Sequence, residues 1–128
     1  MRVMLIAAIL LAGSAEADDL RTLIARASVQ DLRLHLQPRV EHGQCASWKM
    51  NERQVRQWFA RAEAISAEEA AMVYDWGGCD FKGRFVVDGR SLAFSINAGG
   101  SAWVDAGSDT QHFGCKDACR DIFDFGLY

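Results

Sequence analysis

Residues 81–97 read FKGRFVVDGRSLAFSIN. Phe81, Gly83, Phe85 and Val87 alternate with Lys82, Arg84 and Val86, the period of a strand with one buried face. Asp88-Gly89 is a hairpin-turn signal. Leu92, Phe94 and Ile96 then alternate with Ser91, Ser95 and Asn97 on a return strand. Downstream, Ala98-Gly99-Gly100-Ser101 predicts the next turn. Ala102 to Asp105 and Thr110 to Phe113 predict two shorter strands, joined through Ala106-Gly107-Ser108-Asp109. The product is a four-strand antiparallel meander whose single apolar face needs a cover.

The cover is expected upstream. Asp18 to Ser28 reads as a helix with Leu20, Leu23, Ile24 and Ala27 on one face and two aspartates at its N-terminus. Over residues 31–37, Leu32, Leu34 and Leu36 alternate with Arg33, His35 and Gln37; the stretch fits a strand or a helix continued to Gln37, where Pro38 discourages it. Residues 39–49 form a connector. Asn51-x-x-Gln54 is a capping box before Val55, Trp58, Phe59 and Ala62 at helical spacing. Ser66-x-x-Glu69 is a second, stronger box, opening a helix through Val73 and Tyr74 that Gly77-Gly78 stops. These two helices are expected as an αα-hairpin linked through Ile65, its Trp58/Phe59 face on the meander. The fold class is α+β, with N-terminal helices packed on one face of a C-terminal meander.

The 128 residues suit one domain, and 50% hydrophobic content with a single Pro excludes a disordered chain. A formal net charge of -3 gives no electrostatic ground for binding nucleic acid. Met1-Arg2, the apolar run Val3 to Ala12 and the small residues at Ala15 and Ala17 have the layout of a secretory signal peptide over residues 1–17. That leaves residues 18–128 as the single domain, periplasmic or secreted, with no membrane insertion expected after cleavage.

Cys45, Cys79, Cys115 and Cys119 are an even set in a short exported chain and predict two disulfides. In a flat meander Cys79 and Cys115 stand about three strand spacings apart, on the order of 14 Å, too far for a bond that needs Cα atoms within about 7 Å. Cys115–Cys119 and Cys45–Cys79 are therefore favoured; a strongly curled sheet would permit Cys79–Cys115 with Cys45–Cys119.

The motifs of the common hydrolases, zincins and phosphate binders are missing from the chain, and no catalytic residue or cofactor is assigned. His112-x2-Cys115-x3-Cys119 brings three metal-ligand types together, but disulfides would consume the thiols, so no metal is assigned. His35 is expected on the surface. Asp117, Asp121 and Asp124 read as solvated acids, and Asp75 and Asp80 flank a turn that one of them stabilises. Trp58 belongs to the core. Trp76 and Trp103 fall in or near turns and, with Gly99 and Gly100 between them in sequence, are the candidates for a partner-binding surface.

From Trp48 to Cys119 the chain resembles a family of small exported proteobacterial proteins with paired cysteines. The resemblance is carried by Trp48, Val55/Trp58/Phe59, Ile65-Ser66 with Glu69, Tyr74, Cys79, Gly83, Asp88-Gly89-Arg90, the SINAGG segment Ser95–Gly100, Trp103 and Phe113-Gly114-Cys115. It implies helices followed by a meander and supplies no catalytic residue. In size and compartment the chain is similar to immunity proteins that block interbacterial toxins, an analogy that does not assign function. The expectation is a non-catalytic periplasmic protein that binds another protein, a toxin or effector, through the Gly99–Trp103 turn. The alternative is a small-ligand or metal-binding periplasmic protein.

Overall fold

The computed structural model describes residues 19–122; the expected signal segment 1–17 and Asp124 lie outside them. In chain order they form helix α1 (19–26), strand β1 (Ser28–Leu36), a 3-10 turn (Gly43–Ser47), helix α2 (Glu52–Arg61) and strand β2 (Glu63–Ile65). Helix α3 (Ala67–Met72) follows, then the meander β3 (Cys79–Val87), β4 (Arg90–Asn97), β5 (Ser101–Ala106) and β6 (Asp109–Gly114), and a closing 3-10 turn (Asp117–Ile122). The sheet is antiparallel, in the order β1-β3-β4-β5-β6-β2.

The central hairpin forms on local chemistry. Asp88 (φ 51°) and Gly89 (φ 74°) are both left-handed, the two-residue turn that matches strand twist, and Val87 pairs with Arg90. Phe81, Phe85, Phe94 and Phe113 then share one face of the sheet. Phe59 of α2 enters this face edge-on, its ring 5.3, 5.8 and 5.4 Å from Phe85, Phe94 and Phe113. Val55 and Trp58 of α2, Trp48, and Leu20 and Ile24 of α1 complete the buried layer. Trp48 meets Phe81 edge-on at 4.8 Å.

Of residues 31–37, all but Gln37 are strand. Pairing with β3 settles the choice, because Leu32 and Leu34 pack partly against the core. The period slips once, at Asp31 (φ 57°), where the register shifts between Gln30 and Arg33. Helix α1 ends at residue 26, two residues earlier than its pattern suggests, because Ser28 already pairs with Val86.

The αα-hairpin does not form as expected. Residues 63–65 pair with β6 as an edge strand, Ile65 opposite His112. The chain thereby passes from one sheet face to the other, with α2 on the aromatic core and α3 on the opposite, outer face. Both helices are capped by the residues their sequences offer. The reciprocal box forms at Asn51/Gln54, while at Ser66 the hydroxyl accepts from Glu69 N–H. Helix α3 stops at Met72, so Tyr74 lies beyond it and Gly77-Gly78 belongs to the following loop.

The disulfides are Cys45–Cys79 and Cys115–Cys119, with Cα atoms 6.0 and 5.8 Å apart. No helix among the described residues is long and apolar enough to cross a membrane.

Candidate functional site

The outer face of the sheet is fixed by the hairpin's alternation. Asp80, Lys82 and Arg84 of β3 point away from Phe81 and Phe85; Ser95 and Asn97 of β4 and Trp103 of β5 stand beside them. One end of this face is roofed by α3 and the loop that follows it, residues 73–78.

Asn97 holds that loop down. Its Oδ1 accepts from Gly77 N–H and Gly99 N–H, each at 2.8 Å. Its Nδ2 donates to Gly77 O and to Asp80 Oδ1, each at 2.9 Å. Gln37 Nε2 donates to the other oxygen of Asp80. The carboxylate and the amide are each only 6% exposed, so this network is both buried and bonded. Of the two acids that flank residues 76–79, Asp80 joins the turn's network through the side chains of Asn97 and Gln37.

The loop approaches the sheet so closely that glycine is required beneath it. A Cβ on Gly99 would stand 1.6 Å from Asp75 O. At the loop's start the Tyr74 ring lies where a Cβ on Gly114 would be, and Lys116 Nζ sits 5.1 Å from its centre. Burial raises the Tyr74 hydroxyl pKa above its ordinary value, and Glu63 and Glu69 push it in the same direction.

Between these anchors Trp76 projects, 59% exposed. It forms a wall of two clefts of 260 Å³ each. One lies against Ala67, Ala70 and Ala71 of α3, with Ser95, Trp103 and His112 across from them. The other lies against Val40, His42 and Ala98. Among the described residues, the large hydrophobic side chains left exposed are Leu36, Val40, Met72, Val73 and Trp76. They fall on two segments, 36–40 and 72–76, that come together at Gly78. Gln37 N–H donates to Gly78 O at 2.8 Å, and a Cβ on Gly78 would touch Val40.

The structure thus brings two of the expected partner-binding residues, Trp76 and Trp103, to one cleft. Gly99 is buried beneath the 73–78 loop, and Gly100 is buried beside it, its O accepting from Cys115 N–H. They shape the site from below. Cys115 and Cys119 are bonded to each other, which leaves His112 without thiolate companions. Asp117 pairs with Arg120 and Asp121 with Arg61. No group of three or more His, Cys, Asp or Glu converges as a metal set among the described residues. His35 is half-buried, its Nδ1 3.8 Å from Asp80 Oδ2.

Sequence reasoning missed Asn97, Ser95 and the roof over them. Alternation already placed both outward, and the signal that they are covered was the small-residue face Ala67/Ala70/Ala71 of α3.

The chain matches no family model, no curated protein and no solved structure.

Proposed function

We propose that this chain is an exported, non-catalytic, disulfide-stapled domain that binds another protein through the Trp76 end of its sheet. The observation that carries the reading is that, among the described residues, the exposed large hydrophobics fall on two adjoining segments, with Trp76 standing between two clefts. Scattered exposed apolar residues need no explanation, but a concentrated patch does. Tryptophan on a preorganised support is also the residue type that anchors interfaces, because little side-chain freedom remains to be lost.

The clefts support a macromolecular partner over an enclosed small ligand. Each is smaller than the ~300–1,000 Å³ of ordinary ligand pockets, and a partner side chain fits them better than a whole ligand would. Export rests on the signal-like residues 1–17, and the two disulfides suit an oxidising compartment such as the periplasm. Neutralisation of an interbacterial toxin is the most concrete form of this function.

The test is affinity capture from periplasmic extract of the native host, with the full chain and its Trp76→Ala and Arg53→Ala variants as baits. A stoichiometric protein partner retained by wild type and Arg53→Ala but lost with Trp76→Ala is expected; if that partner is a toxin, the chain protects cells against it. A partner held equally by all three baits would contradict the assignment of the surface.

A further inference from the structure

One register row crosses the whole outer face. Arg33 on β1 faces Lys82 on β3, Lys82 faces Ser95 on β4, and Ser95 faces Trp103 on β5. Trp103 in turn faces His112 on β6, and His112 faces Ile65 on β2. The row therefore runs from two cations, through a hydroxyl, to an aromatic ring and an apolar side chain beside α3.

The cationic end is the unexpected part. Like charges directly opposite each other destabilise an antiparallel pair, yet Arg33 and Lys82 are held so. Neither has an ion pair among the described residues. Arg33 Nη1 donates only to the backbone carbonyl of Asp31, at 2.9 Å. The Asp31 carboxylate itself is taken by Arg84 at 2.7 Å, and the Asp80 carboxylate by Asn97 and Gln37. Among the described residues, two adjacent positive charges thus have no ion-pair partner, in a chain whose formal net charge is -3. They line a shallow depression with Trp103, and Trp103 also walls the cleft beside Trp76.

We propose that the depression lined by Arg33, Lys82 and Trp103, which lies clear of the buried Ser95, receives an extended acidic segment of the partner protein, with a carboxylate on Arg33 and Lys82 and an apolar side chain against Trp103 and Trp76. The inference rests on the docking reading above and adds the partner's chemistry. Lys82 and Trp103 are two strand spacings apart, about 10 Å, which an extended chain covers in about three residues. A partner segment is therefore required in which an acidic and a large apolar side chain lie within about four residues of each other. Lys82 and Arg33 steer and select it; Trp103 and Trp76 supply the buried contact.

The experiment is fluorescence anisotropy of a labelled, end-blocked peptide alternating glutamate with leucine, titrated with the full chain. A glutamine–leucine peptide and phosphatidylglycerol vesicles serve as comparisons. The glutamate peptide binds, weakens with added salt, and loses at least about tenfold in affinity with Arg33→Glu. Arg33→Glu also turns a repulsive cross-strand pair into an attractive one, so the same variant unfolds at higher urea than wild type. Gain of stability together with loss of binding is a result that a purely structural role for Arg33 does not give.

Equal binding of the glutamate and glutamine peptides would overturn the acidic specificity while leaving the docking surface standing. Binding unchanged by Trp76→Ala and Trp103→Ala would overturn the docking surface itself. Charge-dependent binding to the vesicles alone, or no peptide binding at all, would also overturn the proposal.

Discussion

Replacing Asn97 by alanine removes one amide that serves both backbone segments at the Trp76 end of the sheet. Gly77 N–H and Gly99 N–H lose their acceptor, and the buried Asp80 loses one of its two donors. Unsatisfied buried polar groups each cost about 1–3 kcal/mol, so Asn97→Ala is expected to destabilise the fold by about 2–4 kcal/mol. It should also free the 73–78 loop, which hydrogen exchange at Gly77 would report as lost protection, whereas Asn51→Ala at the far cap should leave Gly77 protected. The exposure of Trp76 was legible because it stands beside a Gly-Gly pair near a turn. The role of Asn97 was not legible, since its partners at Gly77 and Asp80 lie 20 and 17 residues away and meet it only in the folded loop.

Elements show the same division between local and distant causes. The β3–β4 hairpin was readable because alternation and the Asp88-Gly89 turn act within a few residues of each other. Strand β2 was invisible, because Glu63-Ala64-Ile65 has the look of a helix link and becomes a strand only by pairing with β6. With it paired, α2 lies on the aromatic face and α3 on the outer one, which places the candidate site on the outer face. The open edge of β1 is partly covered from α2, where Glu52 Oε1 accepts from Val29 N–H at 3.0 Å. That bond, and secondarily Arg56, lowers the Glu52 pKa from its ordinary value. A depressed carboxyl stabilises the fold above its unfolded pKa and loses that contribution as pH falls through the folded value. Wild type should therefore be more stable than Glu52→Gln at neutral pH, and the gap in urea midpoint should close as pH drops below about 4. A gap that stays constant into acid would mean that the charge contributes nothing.

At the scale of the whole molecule, the two sulfur bridges do unequal work. Cys45–Cys79 closes 34 residues and ties the connector after β1 to the start of β3, beside the Trp76 clefts; Cys115–Cys119 closes only 4. By loop-closure entropy the first contributes about 4 kcal/mol and the second about 2 kcal/mol. The paired replacement Cys45→Ser/Cys79→Ser should accordingly lower the urea unfolding free energy about twice as much as Cys115→Ser/Cys119→Ser. The favoured pairing was legible from strand order on the premise of a sheet that does not curl closed, which holds Cys79 and Cys115 apart; the sequence left the curled alternative open. Which sheet face carries the candidate site was not legible, because that depends on β2 closing the far edge and on α3 lying across the outer face.

The central claim is that the Trp76 end meets another protein. Site-specific photo-crosslinking in the periplasm of the native host tests it most directly, with the photoreactive side chain placed at position 76, at position 103, or at position 53 on α2. Discrete adducts to one and the same protein from positions 76 and 103, with none from 53, are the predicted result. Adducts only from position 53, or none from any position, would contradict it.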